Sequence, residues 1–456
     1  MNAPPAQSVA ENLADKAAAL RGEALPAAVR ERAEQLLIDV VGLCVAARGT
    51  DYMRALVAAV DAGGSCTAIG HAATYDAGTA ALINGTAAHG EDFDDTFEGG
   101  PVHSSAVVIP AVLAACERFG RDGRAALLGI AAGVEATCRL SMIIPKAIHK
   151  AGFHPTSVLG TIGAALAASI AMGLTRRQAV DALGVAGSMA GGIIEYLAEG
   201  AWTKRMHPGW AAQAGIAAAR LGRNGFLGPR TVLEGTHGLF HGFARSVEGD
   251  YGVLTDRFGE KWFMDAITFK PYATGTMNQP YVDCALRLRA RGVRTEDVRE
   301  ILCETAEGYV HRLWEPLASK HRPANAYAAK FSTPFNIAVA FATGGAGLSA
   351  FTEATARDER VLALASKVRY VVDPKNPYPK AYTGHIRVTL NDGRVIEERQ
   401  PHIRGGAHEP LTRAEIEAKF RGNCEHGGWT GERARRFLDR VPKFFDRPLD
   451  LSLLRA

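Results

Sequence analysis

Cysteine is scarce in this chain, and the few that occur form no recognisable framework. The 456 residues include seven cysteines, which is an odd number, and no CxxC motif occurs among them. Most lie in apolar, helix-like stretches, such as Cys44 in GLCVA and Cys116 in LAAC. This pattern argues against a disulfide-rich secreted protein and against a cysteine-ligated metal centre. We therefore expect small buried thiols in a cytoplasmic protein.

Runs of one charge sign are also lacking. The chain has 52 basic and 48 acidic residues and a formal net charge of +4, which gives no reason to expect a nucleic-acid partner. The most basic segment, residues 432–447, has the pattern of an ordinary amphipathic helix. The amino-terminal stretch contains no apolar core typical of a signal peptide. The uncharged run 155–175 is mostly Ala, Gly and Ser, which favours a buried core helix over a membrane span.

The first half of the chain is rich in helical periodicity. In residues 29–49, apolar side chains recur at helical spacing until Gly49. Further segments between 106 and 197 are dense in Ala and Gly and apolar on nearly all sides, and Thr175 and Gln178 have the spacing of a capping box. Helices of this composition can approach one another closely, so they predict the interior of a large helical domain.

The periodicity changes near Phe269. Residues 298–306 and 385–390 have strand-like patterns, and Asn391–Gly393 supplies a hairpin turn into a further strand. Helical signals return at 412–422.

These changes of pattern predict a mainly α protein. One large all-helical domain is formed from both chain ends, residues 1–266 and 401–456. An α+β lid domain, residues 267–400, is inserted between them. The sequence shows no internal repeat and no low-complexity linker.

The most unusual stretch is HGEDFDDTFEGGPVHSSAVVIPA, residues 89–111. It places five carboxylates and then a histidine ahead of an apolar run: Glu91, Asp92, Asp94, Asp95, Glu98 and His103. Carboxylates this close repel one another when all are ionised. A solvated loop, a metal site, a proton-transfer site and a buried hydrogen-bonded cluster are all open interpretations.

Two motif matches point to other protein classes. DDTFE, residues 94–98, resembles the aspartate-rich motif with which helical isoprenoid synthases bind magnesium and diphosphate. No second acidic motif accompanies it, and Gly99-Gly100-Pro101 would end the helix at once. GGAGLSA, from Gly344, follows a predicted helix rather than a strand, so it does not predict nucleotide binding. We therefore expect no metal, although a magnesium-dependent isoprenoid-type enzyme remains an alternative.

Three further motifs carry basic groups. The motifs AGFHPTSVLG, WTKRMHPGW and FKPYATG contain His154, Lys204, Arg205, His207, Lys270 and Tyr272. Each is weak alone, since a histidine before proline can simply cap a helix and bases beside tryptophan can cover a surface turn. Together they supply the imidazoles and ammonium groups that bind a polycarboxylate and move a proton beside it.

The same motifs resemble the MmgE/PrpD family, which includes 2-methylcitrate dehydratase, cis-aconitate decarboxylase and iminodisuccinate epimerase. The similar stretches span most of the chain in the family's order: EDFDDTFEGGPVHSS, GFHPTSVLGTIGAA, WTKRMHPGWAAQAG, GPRTVLEGTHGLF, FKPYATGTMNQPYVDCA and AKFSTPF. The resemblance implies a helical domain from both chain ends, an α+β lid domain and a homodimer. It also implies that neither a metal nor an organic cofactor is needed.

The resemblance also implies which residues form the site. Lys204, His154, His103 and Asp92 are expected to carry the catalysis, and Thr96 and Lys270 are expected to bind the substrate. Tyr272 and Gln279, which lie in the same FKPYATGTMNQP stretch as Lys270, are further candidates for substrate binding. Lys204, Lys270 and protonated histidines would hold the substrate's carboxylates, and Asp92 would orient His103. Some of the remaining acids of the cluster would cap or brace its Gly-Gly-Pro turn.

The reaction expected from these groups is proton removal or delivery at the carbon beside a carboxylate of a small di- or tricarboxylate. Loss of a β-hydroxyl would make the enzyme a dehydratase, and return of the proton from the other face would make it an epimerase. The decarboxylase branch of the family has a catalytic histidine where this chain has Gly275, which argues against cis-aconitate decarboxylation. The non-enzyme alternative is a helical scaffold protein. A scaffold would not require Lys204, His103 and His154 to lie close together.

Overall fold

The computed structural model describes residues 7–456, so the first six residues of the amino-terminal stretch discussed above lie outside it. The chain forms two compact units. The first contains residues 7–90, 94–267 and 413–456, and the second contains residues 91–93 and 268–412. Helices dominate and the strands are few and short, which confirms the predicted mainly α fold.

The first unit is built almost entirely from helices. The longer ones are Val9–Ala18, Ala27–Ala47, Asp51–Ala58, Ala77–His89, Ser105–Phe119, Gly123–Ile143, Pro155–Met172, Arg176–Met189, Thr203–Arg223, Arg413–His426 and Gly431–Leu438. Four short helices are Ala147–Lys150, Tyr196–Glu199, Leu239–Ala244 and Gly252–Thr255. The strands Cys66–Thr67 and Thr74–Tyr75 pair antiparallel, and a further two-residue strand occurs at Thr96–Phe97. The two-residue strand Ile267–Thr268 lies at the boundary between the two units in the chain.

The centre of this unit is a group of closely packed helices. Thr203–Arg223 packs against Ala77–His89, Pro155–Met172 and Arg176–Met189. A Cβ added at Gly85 would lie 2.6 Å from the Cα of Gly209, so these two helices cross with their backbones in contact. The Ala and Gly content recognised in the sequence therefore permits the crossing, and the crossing brings the ends of these helices together.

Two helices of the first unit have the length and hydropathy of membrane spans. In Gly123–Ile143 and Pro155–Met172, 89% and 94% of the apolar window is buried inside the protein. Both are core helices, as the Ala, Gly and Ser content of residues 155–175 predicted.

The second unit combines a four-stranded sheet with short helices. The strand order is Val368–Val372, Val298–Thr305, Gly384–Leu390 and Val395–Gln400; the first pair is parallel and the other two are antiparallel. Asn391–Gly393 turns between the last two strands, with Gly393 at φ 88°, as the hairpin prediction required. The helices are Gln279–Ala290, Glu307–Tyr309, Leu317–His321, Ala326–Ala329, Thr333–Thr343, Glu353–Ala356 and Glu359–Ala365, with a π-helix at Val310–Trp314.

Candidate active site

The ends of three helices in the first unit bring basic side chains together. His89 is the last residue of Ala77–His89, His154 directly precedes Pro155–Met172, and Thr203–Arg223 carries Lys204 and His207 near its start. Pro155 occupies the first helical position, and the His154 side chain makes no capping hydrogen bond. The structure therefore does not support the alternative that His154 merely caps this helix.

Four buried imidazoles form the centre of the site. The ring centroids are 4.6 Å apart for His89 and His103, 5.8 Å for His89 and His154, and 6.2 Å for His103 and His154. The ring of His207 lies 5.2 Å from that of His154, and their Nδ1 atoms are 3.1 Å apart. The structure thus brings two of the predicted site residues, His103 and His154, into one cluster with His89 and His207.

Oxygen atoms from the acidic cluster orient two of these rings. Asp94 Oδ2 lies 2.7 Å from Nδ1 of His89 and 3.6 Å from Nδ1 of His103. The backbone carbonyl oxygen of Asp95 lies 2.7 Å from Nδ1 of His103, and Thr96 Oγ1 lies 3.4 Å from the same nitrogen. Because a carbonyl oxygen can only accept, the proton of His103 is placed on Nδ1. Nε2 of a neutral His103 is therefore an acceptor.

Burial sets the protonation of the other two imidazoles. Burial lowers the pKa of His154 well below its usual 6.5, and the nearby His89, His207 and Lys204 lower it further. Burial, His89 and Lys204 lower the pKa of His207 to about 4. Both rings are therefore neutral at pH 7. Removal from water therefore disfavours the imidazolium form of these two rings in the absence of substrate, and the expectation that protonated histidines hold the substrate's carboxylates stays a prediction.

Asp95 has a structural role at the start of Ser105–Phe119. Its fully buried carboxylate accepts hydrogen bonds from Ser104 Oγ at 3.1 Å, from the backbone N–H of Ser105 at 3.2 Å and from Ser105 Oγ. Burial and the neighbouring Asp94 raise the pKa of Asp95 to about 7, although the serine hydroxyls oppose the shift. Asp95 therefore holds the start of this helix, and the expectation that some acids of the cluster brace the Gly-Gly-Pro turn stays a prediction.

The first two acids of the cluster belong to the second unit, where buried lysines hold them. Lys270 Nζ donates to both the backbone carbonyl oxygen and Oδ1 of Asp92, each at 3.0 Å, and both side chains are almost fully buried. Lys330 Nζ lies 2.8 Å from the carbonyl oxygen and 2.6 Å from Oε2 of Glu91. Asp92 has φ 54°, a left-handed conformation uncommon for a non-glycine residue. The predicted pairing of Asp92 with His103 stays a prediction.

The other two substrate-binding candidates, Tyr272 and Gln279, have protein partners in the second unit. The Tyr272 hydroxyl donates to Asp283 Oδ1 at 2.6 Å, and burial raises the pKa of Asp283 to about 6. The Gln279 amide accepts from the Tyr272 N–H at 3.2 Å and donates to the carbonyl oxygens of Tyr272 and Thr274 at 3.0 and 2.9 Å. These bonds fix the loop 272–274, and a direct substrate contact of either side chain stays a prediction.

A cavity of about 550 Å³ adjoins His207 in the first unit. Residues 192–210 form its walls, which include Tyr196, Met206 and Trp210. Glu195 and Glu199 supply the acidic groups of this lining. The cavity is open to solvent, so His207 lies between the buried His154 and the surface.

Three of the imidazoles also have the spacing of a metal site. Within residues 7–456, His89, His103 and His154 each place one possible ligand atom within 4.8 Å of the others. Three nitrogens suit zinc rather than magnesium. Asp94 and Asp95, in contrast, face His89 and the serines at the helix start, which is not the arrangement of an aspartate-rich magnesium motif.

Sequence reasoning did not select His89 and Asp94 as site residues, although both lie in the stretch that it singled out. Their only signal was the i, i+5 spacing of a histidine and an aspartate within that stretch. Lys330 was also missed, although it lies in the AKFSTPF motif.

Comparison with known proteins gives full-length matches. The family model described as the MmgE/PrpD N-terminal domain matches residues 11–250, and the MmgE/PrpD C-terminal domain matches residues 272–441. The chain is 31% identical to the cis-aconitate decarboxylase of Homo sapiens over 362 residues, covering 76% of this chain and 72% of that protein. It is 28% identical to the cis-aconitate decarboxylase of Mus musculus, covering 92% and 87% of the two chains, and 27% identical to that of Aspergillus terreus, covering 94% and 91%.

Proposed function

Since this chain belongs to the MmgE/PrpD family, we propose that it is a lyase that removes a proton beside a carboxylate of a small di- or tricarboxylate related to 2-methylcitrate or aconitate. The observation that carries the proposal is the buried, neutral imidazole of His154, with His207 and Lys204 beside it. A carbon acid needs an unprotonated base at neutral pH, and the lowered pKa of His154 meets this requirement.

In the proposed reaction, His154 takes the proton from the carbon beside a substrate carboxylate. The positive charge of Lys204, which acts on both His154 and His207, stabilises the enediolate-like charge that forms as the proton leaves. A bound carboxylate would also raise the pKa of His154 towards neutrality, because an adjacent negative charge favours the imidazolium. His154 would then be a stronger base when the substrate is present. Departure of a β-hydroxyl completes a dehydration.

Decarboxylation of cis-aconitate is the reaction that the relatives' names suggest. Against it stands Gly275, at the position where the resemblance implies a catalytic histidine in that branch. Gly275 has φ −54°, which any residue can adopt, and an added Cβ would lie 3.4 Å from the Phe331 ring. The backbone therefore leaves room for a side chain, and glycine is not required there by strain.

The test is product analysis of the purified wild type and Gly275→His with cis-aconitate and 2-methylcitrate. We expect the wild type to interconvert the hydroxy acid and the alkene without releasing CO2, and Gly275→His to gain CO2 release from cis-aconitate. Release of CO2 by the wild type as its main reaction would contradict the dehydratase assignment. Conversion of neither acid would contradict the proposed substrate class.

Epimerisation of a dicarboxylate such as iminodisuccinate is the second candidate. The separation of His103 and His154, 6.2 Å between ring centroids, would let one imidazole remove a proton from one face and the other return it to the opposite face. An inverted stereocentre with no double-bond product would favour this reaction over dehydration.

We also propose a cytoplasmic, cofactor-independent homodimer. All seven cysteines are buried with free thiols, which suits a reducing compartment. The large apolar side chains of Phe226 and Leu227 are exposed outside the cavity lining, and such a patch supports an interface between copies. Light scattering after size exclusion should give twice the 48.5 kDa chain mass, and a monomer would contradict the dimer.

A further inference from the structure

We propose that His207 is a proton-relay residue that connects His154 to the open side of the cavity formed by residues 192–210. The inference rests on the proposed function, because it assumes that His154 receives the substrate's proton. His207 itself would not touch the substrate. It would act through His154, whose Nδ1 faces it at 3.1 Å.

The contact between the two Nδ1 atoms restricts their protonation. A hydrogen bond at this distance needs one donor and one acceptor, so only one of the two nitrogens carries a proton. The neutral rings must therefore be opposite tautomers. When Nδ1 of His154 donates, its Nε2 is the base, and His207 carries its own proton on Nε2.

The second nitrogen of His207 faces the cavity wall. Gly192 lines the cavity, and a Cβ added there would lie 3.3 Å from Nε2 of His207 and 2.7 Å from Oγ of Ser157. Gly192 has φ 118°, a conformation that favours glycine, so the loop can approach both side chains. Ser157 is fully buried, and its Oγ has no hydrogen-bond partner among the described residues. It therefore offers a polar contact beside this route.

The charged and titratable groups around the pair do not trap a proton on it. His89, His103 and Lys204 act on His154, and His89 and Lys204 act on His207; all of these lower the pKa of the ring concerned. The ring centroid of Tyr196 lies 6.2 Å from that of His154 and 5.8 Å from that of His207. On the cavity side, Glu195 and Glu199 are the acidic groups. A proton on the pair is thus repelled by the charged groups of the cluster.

The proposed proton transfers start from two neutral rings. Nε2 of His154 takes the proton from the substrate's C–H bond, whose electron pair stays on the substrate. The proton on Nδ1 of His154 moves to Nδ1 of His207, and the proton on Nε2 of His207 leaves to water or a cavity carboxylate. His154 is again neutral but now carries its proton on Nε2. As Nε2 of His154 protonates the departing hydroxide, Nδ1 of His154 takes back the proton from Nδ1 of His207, and Nε2 of His207 takes one proton from solvent. Both rings then stay neutral, and the starting tautomers are restored.

The first arm of the test uses the resting enzyme with no substrate. Nitrogen-15 NMR of histidine-labelled protein, with assignments from single variants, reports which ring nitrogen of each histidine is protonated. We expect one of the two Nδ1 atoms to be protonated and the other not. The same tautomer on both rings would overturn the relay, whatever the enzyme's substrate.

The second arm uses turnover of 2-methylcitrate by His207→Asn and His207→Ala. Asparagine keeps a hydrogen-bonding atom near the position of Nδ1 but cannot pass a proton on, so it separates positioning from relay. We expect His207→Asn to lose about 10²-fold or more in kcat, as for loss of a proton-transfer group, with KM little changed. Imidazole added to His207→Ala should restore part of kcat, because the cavity admits it.

The matched control is His241→Asn, which changes an exposed histidine in the same unit and should keep wild-type kcat. If His207→Asn turns over at the wild-type rate, His207 relays no proton. If the wild type itself does not convert 2-methylcitrate, the proposed substrate is wrong. The relay is then tested by the nitrogen-15 NMR of the resting enzyme alone.

Discussion

The buried ion pair between Lys270 and Asp92 gives the sharpest prediction about stability. Lys270 is fully enclosed, and its Nζ binds both the carboxylate and the backbone carbonyl oxygen of Asp92 at 3.0 Å. Lys270→Met keeps most of the side-chain volume but removes the ammonium group. The buried carboxylate of Asp92 then loses this ammonium partner.

Breaking a buried pair in this way costs about 3–5 kcal/mol. For a folding unit of this size, 1 kcal/mol corresponds to about 2–4 °C in melting temperature. Lys270→Met should therefore lower the melting temperature of the second unit by roughly 6–20 °C. Differential scanning calorimetry measures this shift directly on the full chain.

The control is Arg322→Met, which removes an exposed salt bridge to Glu359 in the same unit. An exposed pair contributes at most about 1 kcal/mol, so this variant should melt within a few degrees of the wild type. The double variant Lys270→Met/Asp92→Asn should be less destabilised than the sum of the single variants, because the carboxylate charge that lost its ammonium partner is also removed. A shift for Lys270→Met no larger than that for Arg322→Met, or strict additivity, would refute the reasoning.

Further predictions concern catalysis, metal and pH. Lys204→Ala and His154→Ala should lower kcat by about 10²- to 10⁴-fold at saturating substrate, and a wild-type kcat in both variants would refute their assigned roles. Lys270→Ala should mainly raise KM in steady-state kinetics. Dialysis against EDTA should leave turnover intact, whereas added Zn²⁺ should inhibit by occupying the three imidazoles; a loss of activity that magnesium restores would revive the isoprenoid-type alternative. The pKa of Asp95 is about 7 in the folded protein and near 3.8 otherwise, so the stability from its protonated form is present below about pH 4 and is lost as the pH rises to 7. Asp95→Asn should therefore flatten this part of the melting temperature–pH curve, and an unchanged slope would contradict the raised pKa.

The parts of the fold that depend on local patterns could be predicted from the sequence. The alternation in 385–390 and the turn at Asn391–Gly393 specify a hairpin, and the structure has strands at Gly384–Leu390 and Val395–Gln400. The uncharged run that begins at Pro155 is a buried helix for the reason its Ala and Gly content suggests. Local propensity and the burial pattern agree at these positions, so the local sequence is sufficient to predict these elements.

The site depends on packing that no local pattern contains. His89 joins the cluster because Gly85 and Gly209 let two helices cross in contact, and this contact is invisible in either segment alone. The adjacent acids also divide in a way that spacing does not predict: Asp92 binds a lysine of the second unit, whereas Asp94 binds His89 in the first. The neutral state of His154 follows from its burial, which the sequence could not supply.

The most direct test of the central claim is proton NMR in D2O with the wild type and His154→Asn, each incubated with cis-aconitate, 2-methylcitrate and iminodisuccinate. If a buried imidazole removes a proton beside a carboxylate, the wild type will convert at least one acid or replace its hydrogen by deuterium. The variant should do so at least about 10²-fold more slowly while keeping the wild-type fold. The account is contradicted if the wild type leaves every acid unlabelled and unconverted, or if His154→Asn labels them as fast as the wild type.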